Sequence, residues 1–204
     1  MATKNPSFKI ILGSSSKARE QILAEMGYEF TIMTADIDEK SIRREKPEDL
    51  VVTLAEAKAD AIVQRLLTDG SLEADASTTL LITADTVVVY RGTIREKPTS
   101  EKEAREFIKG YSGSHAAVVG SVVVTNLVTG KRYGGWESAE VYFLEIPDEV
   151  IDNLIDDGIT FNVAGGLMLE HPLTLPFVDA VVGSADSVMG LSKALTEKLI
   201  KEAL

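Results

Sequence analysis

The chain has 204 residues, of which 45% are hydrophobic and 26% charged, a composition typical of a globular protein that buries a sizeable core. Its 21 Lys and Arg residues against 32 Asp and Glu residues give a net charge of −11 at pH 7, which argues against a broad surface for DNA, RNA or anionic membranes. The absence of cysteine excludes disulfides, iron–sulfur clusters and thiol nucleophiles, and two histidines are too few for a histidine-built metal site.

We expect a single domain over residues 1–204. No apolar run approaches the roughly 20 residues of a membrane helix. The polar stretch Met1–Lys9 lacks the apolar region of a signal peptide. A cytoplasmic location is therefore the expectation.

Hydrophobic periodicity predicts strands and helices interspersed along the chain. In chain order the predicted elements are strand Phe8–Leu12, helix Lys17–Met26, strand Tyr28–Thr34, helix Pro47–Leu67, polar loop Asp69–Thr79, strand Leu80–Tyr90 with a return through Ile94, a helix from the capping box Ser100/Glu103 to Lys109, strands Ala116–Thr125 and Ser138–Leu144, helix Asp148–Asp156 and helix Leu191–Ala203. This order predicts an α/β or α+β fold with a mixed sheet flanked by helices.

A serine-rich segment joins the first strand to the first helix, with the sequence Gly13-Ser14-Ser15-Ser16-Lys17-Ala18-Arg19. Its backbone N–H groups, its hydroxyls and the positive end of the helix suit an anion, and Arg19 adds a bidentate phosphate donor. The spacing is not that of a Walker A loop. Because serine is a preferred N-cap residue, a purely structural role for Ser16 stays equally open.

Lys58 lies on the apolar face of the long predicted helix, four residues after Leu54 and four before Ile62. An ammonium in that position needs a partner or must extend to solvent. We favour an interpretation in which Lys58 faces a buried or half-buried anion.

Asp85 interrupts a strand that otherwise reads as fully buried, Leu80–Val89. Aspartate is depleted in strands, and a carboxylate in such a place must meet a cation, a metal or a group of hydrogen-bond donors. A structural hydrogen bond to a neighbouring loop is the alternative.

Two further charged segments follow predicted strands and contain Glu39 and Lys97. Each by itself could be solvated charge. Together, Glu39 and Asp85 offer hard oxygen ligands for magnesium, while Arg19, Lys58 and Lys97 offer positive charge for phosphates. The set is typical of a metal-assisted phosphoryl-transfer site.

Eight short motifs occur in a fixed order along the chain. They are Ser14-x-Ser16-x-x-Arg19, Asp38-Glu39, Leu54-Ala55-x-x-Lys58-Ala59, Ala84-Asp85-Thr86-Val87-Val88, Lys97-Pro98, Tyr111-Ser112-Gly113, Ala164-Gly165-Gly166 and Val188-x-Gly190-Leu191. From Ile11 to Leu199 the chain thereby resembles the Maf family, the septum-formation-like nucleoside triphosphate pyrophosphatases.

The resemblance implies hydrolysis of a nucleoside triphosphate between its α and β phosphates with a divalent cation, Mg²⁺ or Mn²⁺. It also implies an elongated, bent mixed sheet in two lobes with the nucleotide in a cleft between them, and a homodimer. By the same resemblance, Asp85 is the proton acceptor and Glu39 its acidic partner, both holding the metal, while Lys58, Lys97 and Arg19 bind phosphates.

Substrate-binding residues are also implied by the resemblance, namely Ser14, Ser16, Ala18, Thr86 and Glu170. Ala18 departs from the family, whose members often carry an arginine or tryptophan there, so one side chain near the nucleotide is missing. His115 lies one position earlier than the histidine of many members, and we expect it only to enter a strand.

Base preference depends on two positions that point in different directions. Glu170 stands where the branch that acts on dTTP and UTP has a glutamine, and a carboxylate, which only accepts hydrogen bonds, suits guanine. The 7-methyl-GTP branch resembles this chain in that glutamate. Thr86 resembles the pyrimidine branch instead, so 7-methyl-GTP is only slightly favoured, and a surface role for Glu170 stays open.

Two other functions compete with the pyrophosphatase. One is a nucleotide-binding regulator of cell division with little or no catalysis, which would have no need to retain both acids and all three cations. The other is a pyrophosphatase for deaminated purines, against which the serine motif and the Ala84-Asp85-Thr86 motif argue.

Overall fold

The computed structural model describes residues 7–71 and 78–204. The strands are β1 (Lys9–Leu12), β2 (Thr31–Ile32), β3 (Thr79–Tyr90), β4 (Thr93–Arg95), β5 (His115–Asn126), β6 (Arg132–Phe143) and β7 (Val178–Val182). The helices are α1 (Lys17–Glu25), α2 (Pro47–Thr68), α3 (Glu101–Tyr111), α4 (Asp148–Asp156), α5 (Ala185–Met189) and α6 (Lys193–Ala203). Most of the predicted loop Asp69–Thr79 and of the stretch Met1–Lys9 lies outside the described residues.

The strands form one mixed sheet in the order β2-β1-β3-β5-β6-β7, with β4 paired to β3. β1 runs parallel to both β2 and β3, whereas β4 is antiparallel to β3 and β7 is antiparallel to β6. Interspersed helices and both strand directions confirm the predicted mixed α/β class.

The chain divides into two compact units. Of the described residues, the first comprises 7–71, 78–85, 120–137 and 190–204, and the second comprises 86–119 and 138–189. Two expectations remain predictions. One is that the nucleotide binds in a cleft between two lobes, and the other is that residues 1–204 form a single domain.

In the first unit, α2 lies against the sheet through a stripe of apolar residues at helical spacing. Its buried members are Leu50, Val51, Leu54, Ala55, Ala59, Ile62 and Leu66. Gly13, which follows β1, has no room for a side chain, because a Cβ there would fall 2.6 Å from Thr83 Cγ2 and 2.8 Å from Ile62 Cδ1. The start of the serine-rich segment is therefore pressed between β3 and α2.

The second unit has its own apolar core, built on α3 and α4. Tyr111 at the end of α3 is 1% exposed and stacks on Phe143 at a centroid distance of 5.9 Å. Its hydroxyl donates to the carbonyl of Gly165 at 2.8 Å. This bond fixes the turn at Ala164–Gly166 to the end of α3.

Several predicted elements differ from the structure at their ends. The strand expected over Ser138–Leu144 begins six residues earlier, at Arg132, and ends at Phe143. The strand expected over Tyr28–Thr34 pairs with β1 only at Thr31 and Ile32, because β1 ends at Leu12. The helix expected over Leu191–Ala203 begins at Lys193, since the Ser192 hydroxyl accepts from the Leu195 N–H at 3.1 Å and caps it.

Strand β7 and helix α5 have no counterpart among the predicted elements. Across the described ranges, none of the helices is both long and apolar enough to span a bilayer.

Candidate active site

Lys58 and Asp85 form an ion pair within the first unit. Lys58 projects from α2 and its Nζ lies 2.5 Å from Asp85 Oδ1, on β3. Both side chains are nearly buried, 12% and 11% exposed. The ammonium offsets the cost of burying the carboxylate, which agrees with the anion expected opposite Lys58.

Glu39 is the second carboxylate at this ammonium. It begins a 3-10 turn, Glu39–Ser41, that follows β2, and its Oε1 lies 3.0 Å from Lys58 Nζ. Its side chain is 45% exposed, so the pair of acids is reached by solvent from the Glu39 side. Glu39 and Asp85 are 46 residues apart in sequence, and the fold brings them to one cation.

Arg19 is held in a fixed orientation at the start of α1. Its Nε donates to the carbonyl of Gly190 at 2.8 Å, and its Nη1 donates to Ser14 Oγ at 3.3 Å. Ser14 Oγ also accepts from the Ser16 N–H at 3.1 Å. The Ser16 hydroxyl accepts from the Arg19 N–H at 3.4 Å, so Ser16 has the capping role that the sequence left open.

Burial lowers the pKa of the Arg19 guanidinium below its ordinary value, while the charges of Asp85 and Glu39 act in the opposite direction. Arginine remains protonated at neutral pH because its ordinary pKa is so high. Arg19 therefore adds a positive charge to the electrostatic environment of both acids.

Two buried hydroxyls connect the sheet to α2 beside the ion pair. Thr83 Oγ1 donates to the carbonyl of Ala55 at 2.8 Å, and Ser121 Oγ on β5 donates to the carbonyl of Val51 at 2.6 Å. Ser121 Oγ also accepts from the Asp85 N–H at 3.3 Å. Ser121 was not predicted from the sequence, although a polar residue in an apolar strand is the same signal that singled out Asp85.

Ala18, a predicted substrate contact, is the second residue of α1 and is half-buried. The remaining predicted site residues belong to the second unit. Thr86 follows Asp85 directly in β3, where successive side chains point to opposite faces of the sheet, so Thr86 points away from the face that carries Asp85.

Lys97 is exposed between β4 and α3, and Glu170 is half-buried.

Gly165 fixes the backbone next to Lys97. Its N–H donates to the carbonyl of Glu96 at 2.9 Å. Its φ is +62°, and a Cβ there would fall 2.6 Å from Val88 Cβ and 2.7 Å from the Tyr111 hydroxyl. Only glycine meets both requirements, which gives the Ala-Gly-Gly motif a structural reason.

The two histidines have structural contacts. His115 begins β5 as expected, and its ring stacks on Tyr142 at a centroid distance of 4.9 Å. His171 Nδ1 accepts from the Leu173 N–H at 3.1 Å, so Nε2 carries the proton that faces Asp157 Oδ2 at 3.1 Å. His171 thereby anchors the segment that follows Glu170.

Among the described residues, no group of three or more His, Cys, Asp or Glu side chains could enclose a metal ion. Glu39 and Asp85 instead offer two carboxylates that already share one cation, Lys58. Such a pair suits Mg²⁺, which commonly binds one or two carboxylates and completes its shell with water and substrate phosphates.

Comparison with known proteins decides the family. The sequence model described as Maf-like protein matches residues 9–203. This chain belongs to the Maf family.

Similar proteins carry pyrophosphatase names. A 7-methyl-GTP pyrophosphatase of Dictyostelium discoideum is 41% identical over 194 residues, which cover 95% of this Maf chain and 96% of that protein. A dTTP/UTP pyrophosphatase of Alkaliphilus metalliredigens is 31% identical over 183 residues, covering 90% of both chains. A nucleoside triphosphate pyrophosphatase of Salinispora tropica is 27% identical over 194 residues, covering 95% of this chain and 83% of that protein.

Proposed function

We propose that this protein is a nucleoside triphosphate pyrophosphatase, which hydrolyses the bond between the α and β phosphates to release a monophosphate and pyrophosphate. The observation that carries the proposal is the sharing of one nearly buried ammonium, Lys58, by Asp85 and Glu39. The pyrophosphatase names of the similar proteins agree with that chemistry.

Asp85 is the proposed general base. Lys58 binds its Oδ1, which leaves Oδ2 as the oxygen that takes the proton of an attacking water. The water oxygen bonds to the α phosphorus, the bond from that phosphorus to the bridging oxygen breaks, and the electron pair leaves with pyrophosphate. Because water attacks the phosphorus directly, the reaction forms no covalent intermediate with the protein.

The cations of the site bind the phosphates. An ammonium has three donors, and Asp85 and Glu39 occupy two on Lys58, so one remains for a phosphate oxygen. The guanidinium of Arg19, oriented by Gly190 and Ser14, is a second phosphate donor. We assign Lys97 to the phosphates as well, and Ser14 and Ser16 to the support of Arg19.

Glu39 and Asp85 are the proposed ligands of a divalent cation, Mg²⁺ or Mn²⁺, together with the phosphates of the substrate. When bound, that cation neutralises phosphate charge and acidifies a water molecule.

We further propose that the protein is located in the cytoplasm and forms a homodimer.

Among nucleotides we favour 7-methyl-GTP, with dTTP and UTP as the second candidate. Of the three relatives described above, the Dictyostelium protein named for 7-methyl-GTP has the highest sequence identity to this chain, 41%. Glu170, a carboxylate that only accepts hydrogen bonds, suits the donors of a guanine base. Thr86 points away from the face of Asp85, which lessens the weight of its resemblance to the pyrimidine branch.

The test is pyrophosphate release with Mg²⁺ or Mn²⁺ from 7-methyl-GTP, dTTP, UTP, CTP, ITP and the common nucleotides. Asp85→Asn, which keeps the shape of the side chain and removes its basicity, should lower kcat by about 1,000-fold or more while thermal unfolding stays cooperative. Asp60→Asn is the matched control, because Asp60 is an exposed acid on the same helix as Lys58 and pairs with Arg132.

Near-normal turnover by Asp85→Asn would overturn the mechanism. Preferred turnover of dTTP and UTP would support the pyrophosphatase activity but would contradict the role of Glu170 in base choice. Nucleotide binding without turnover of any substrate would instead support the regulator of cell division.

A further inference from the structure

We infer that Ser121 is a positioning residue that holds Asp85 in register with Lys58 through its buried hydroxyl. The inference rests on the proposed function, since it assigns to Ser121 a part in the reaction that Asp85 performs. Ser121 lies in none of the eight family motifs.

The Ser121 hydroxyl makes two directional bonds. It is 1% exposed, and its single proton goes to the carbonyl of Val51 at 2.6 Å. Its lone pairs therefore face the Asp85 N–H, which donates to it at 3.3 Å. One side chain thus ties the backbone of Asp85 on β3 to the backbone of α2.

Val51 is placed so that this link reaches Lys58. The two residues are seven apart on α2, which is close to two full turns, and both therefore lie on the same face of the helix. A shift of α2 at Val51 moves Lys58 with it. The Asp85–Lys58 pair is thereby fixed from both ends, through the main chain of Asp85 and through the helix of Lys58.

Thr83 provides a built-in comparison. Its hydroxyl, also buried, donates to the carbonyl of Ala55 on the same helix at 2.8 Å. It ties β3 to α2 as Ser121 ties β5 to α2, but it makes no bond to the Asp85 N–H. Loss of either hydroxyl removes one sheet-to-helix bond, and only loss of the Ser121 hydroxyl also removes an acceptor of the Asp85 N–H.

The experiment compares Ser121→Ala with Thr83→Val. Both variants should lower the thermal midpoint by about 4 °C, and Ser121→Ala by somewhat more, because it loses two hydrogen bonds and Thr83→Val loses one. Ser121→Ala should lower kcat by about 10-fold or more with KM within about twofold of wild type, because small displacements of reacting groups are costly. Thr83→Val should keep kcat within about twofold. Equal kcat losses in the two variants would overturn the positioning role.

Ser121→Thr and Ser121→Val form an isosteric pair that separates the hydroxyl from the volume it occupies. Thr keeps a hydroxyl, so we expect Ser121→Thr to exceed Ser121→Val in kcat by about fivefold or more, since the added methyl volume is common to both. Equal activity of the two would contradict a role for the hydroxyl.

A measurement without turnover separates this inference from the proposed function. In Ser121→Ala, the amide hydrogen of Asp85 should exchange faster and the NMR resonance of the Lys58 ammonium should shift, whereas both should stay near wild type in Thr83→Val. An unchanged Lys58 resonance in Ser121→Ala would overturn the inference. Absence of turnover in the wild type would overturn the proposed function alone.

Discussion

Lys58 is the residue on which the charge balance of the site depends. Its ammonium contacts two carboxylates, of which Asp85 is nearly buried and Glu39 half-exposed. Arg19 brings a second positive charge into the same environment. Although the whole chain carries a net charge of −11, its candidate site thus sets two cations against two acids.

Lys58→Gln should lower the free energy of unfolding by about 3 kcal/mol, because it leaves the nearly buried Asp85 carboxylate without its cation. Asp60→Asn, which removes the exposed ion pair of the same helix with Arg132, should cost less than about 1 kcal/mol. Urea denaturation of the two variants and the wild type measures both differences.

The double variant Lys58→Gln, Asp85→Asn tests the cause of that loss. With Asp85 made neutral, no charged group is left buried at this position, so part of the lost stability should return. A double variant less stable than Lys58→Gln by the full cost of Asp85→Asn would show that the two side chains are not coupled.

At residue scale the sequence singled out Lys58 and Asp85, which form an ion pair, but not the groups that hold the site residues in place. Lys58 and Asp85 stood out because each carries a charge in an apolar pattern. The carbonyl of Gly190 that orients Arg19 had no such signal, since a backbone carbonyl has no side-chain signature and lies 171 residues away.

At the scale of elements, the turn at Ala164–Gly166 shows why a short motif requires glycine at a particular position. Gly165 has a positive φ and contacts Tyr111 and Val88 so closely that no side chain fits. Gly158, at the end of α4, has a similar φ of +71°, but a Cβ added there would meet nothing within 4 Å. Both glycines therefore adopt a positive φ, and they differ only in the room that their surroundings leave for a side chain.

Gly165→Ala should lower the free energy of unfolding by about 3 kcal/mol, which combines the cost of a positive φ with that of overpacking. Gly158→Ala, the control, should cost about 1 kcal/mol because only the backbone term applies. Thermal or urea unfolding distinguishes the two, and equal losses would mean that the turn shifts to make room for the methyl group.

Helices α1, α2 and α4 were predicted to within one residue at each end, whereas several strands were not. Helix α2 was expected over Pro47–Leu67 and spans Pro47–Thr68, because a long amphipathic stripe defines its own period. Strand β2 has only two residues, because its neighbour β1 ends at Leu12. Strand β7 was not predicted, and strand β6, expected over Ser138–Leu144, begins at Arg132.

At the scale of the whole molecule, two buried tyrosines link stability to alkaline pH. Burial raises the pKa of Tyr111 to about 12, with Arg95 acting in the opposite direction. Burial, and then the hydrogen bond of its hydroxyl to Glu197, raises the pKa of Tyr28. An unfolded tyrosine has a pKa of about 10.

These shifts predict loss of stability at high pH. Their contribution is present in full below about pH 10 and is lost as the pH rises toward the folded pKa, since the unfolded chain then releases protons that the folded chain retains. For Tyr111 the loss between pH 10 and pH 12 should be about 2 kcal/mol.

The double variant Tyr28→Phe, Tyr111→Phe should show a shallower decline than the wild type when urea unfolding is measured from pH 9 to pH 12. Phenylalanine has no proton to lose, so the difference in slope isolates these two hydroxyls. Parallel declines in both proteins would contradict the raised pKa values.

By itself the sequence determined the mixed α/β class and the family, and it singled out Lys58 and Asp85, because periodicity, motif order and a charge within an apolar run are visible before the chain folds. Only the tertiary structure decided which charges meet. Glu39 and Asp85 share Lys58, Gly190 orients Arg19, and Ser121 joins Asp85 to α2, because each contact pairs residues distant in sequence whose distances depend on how strands and helices pack.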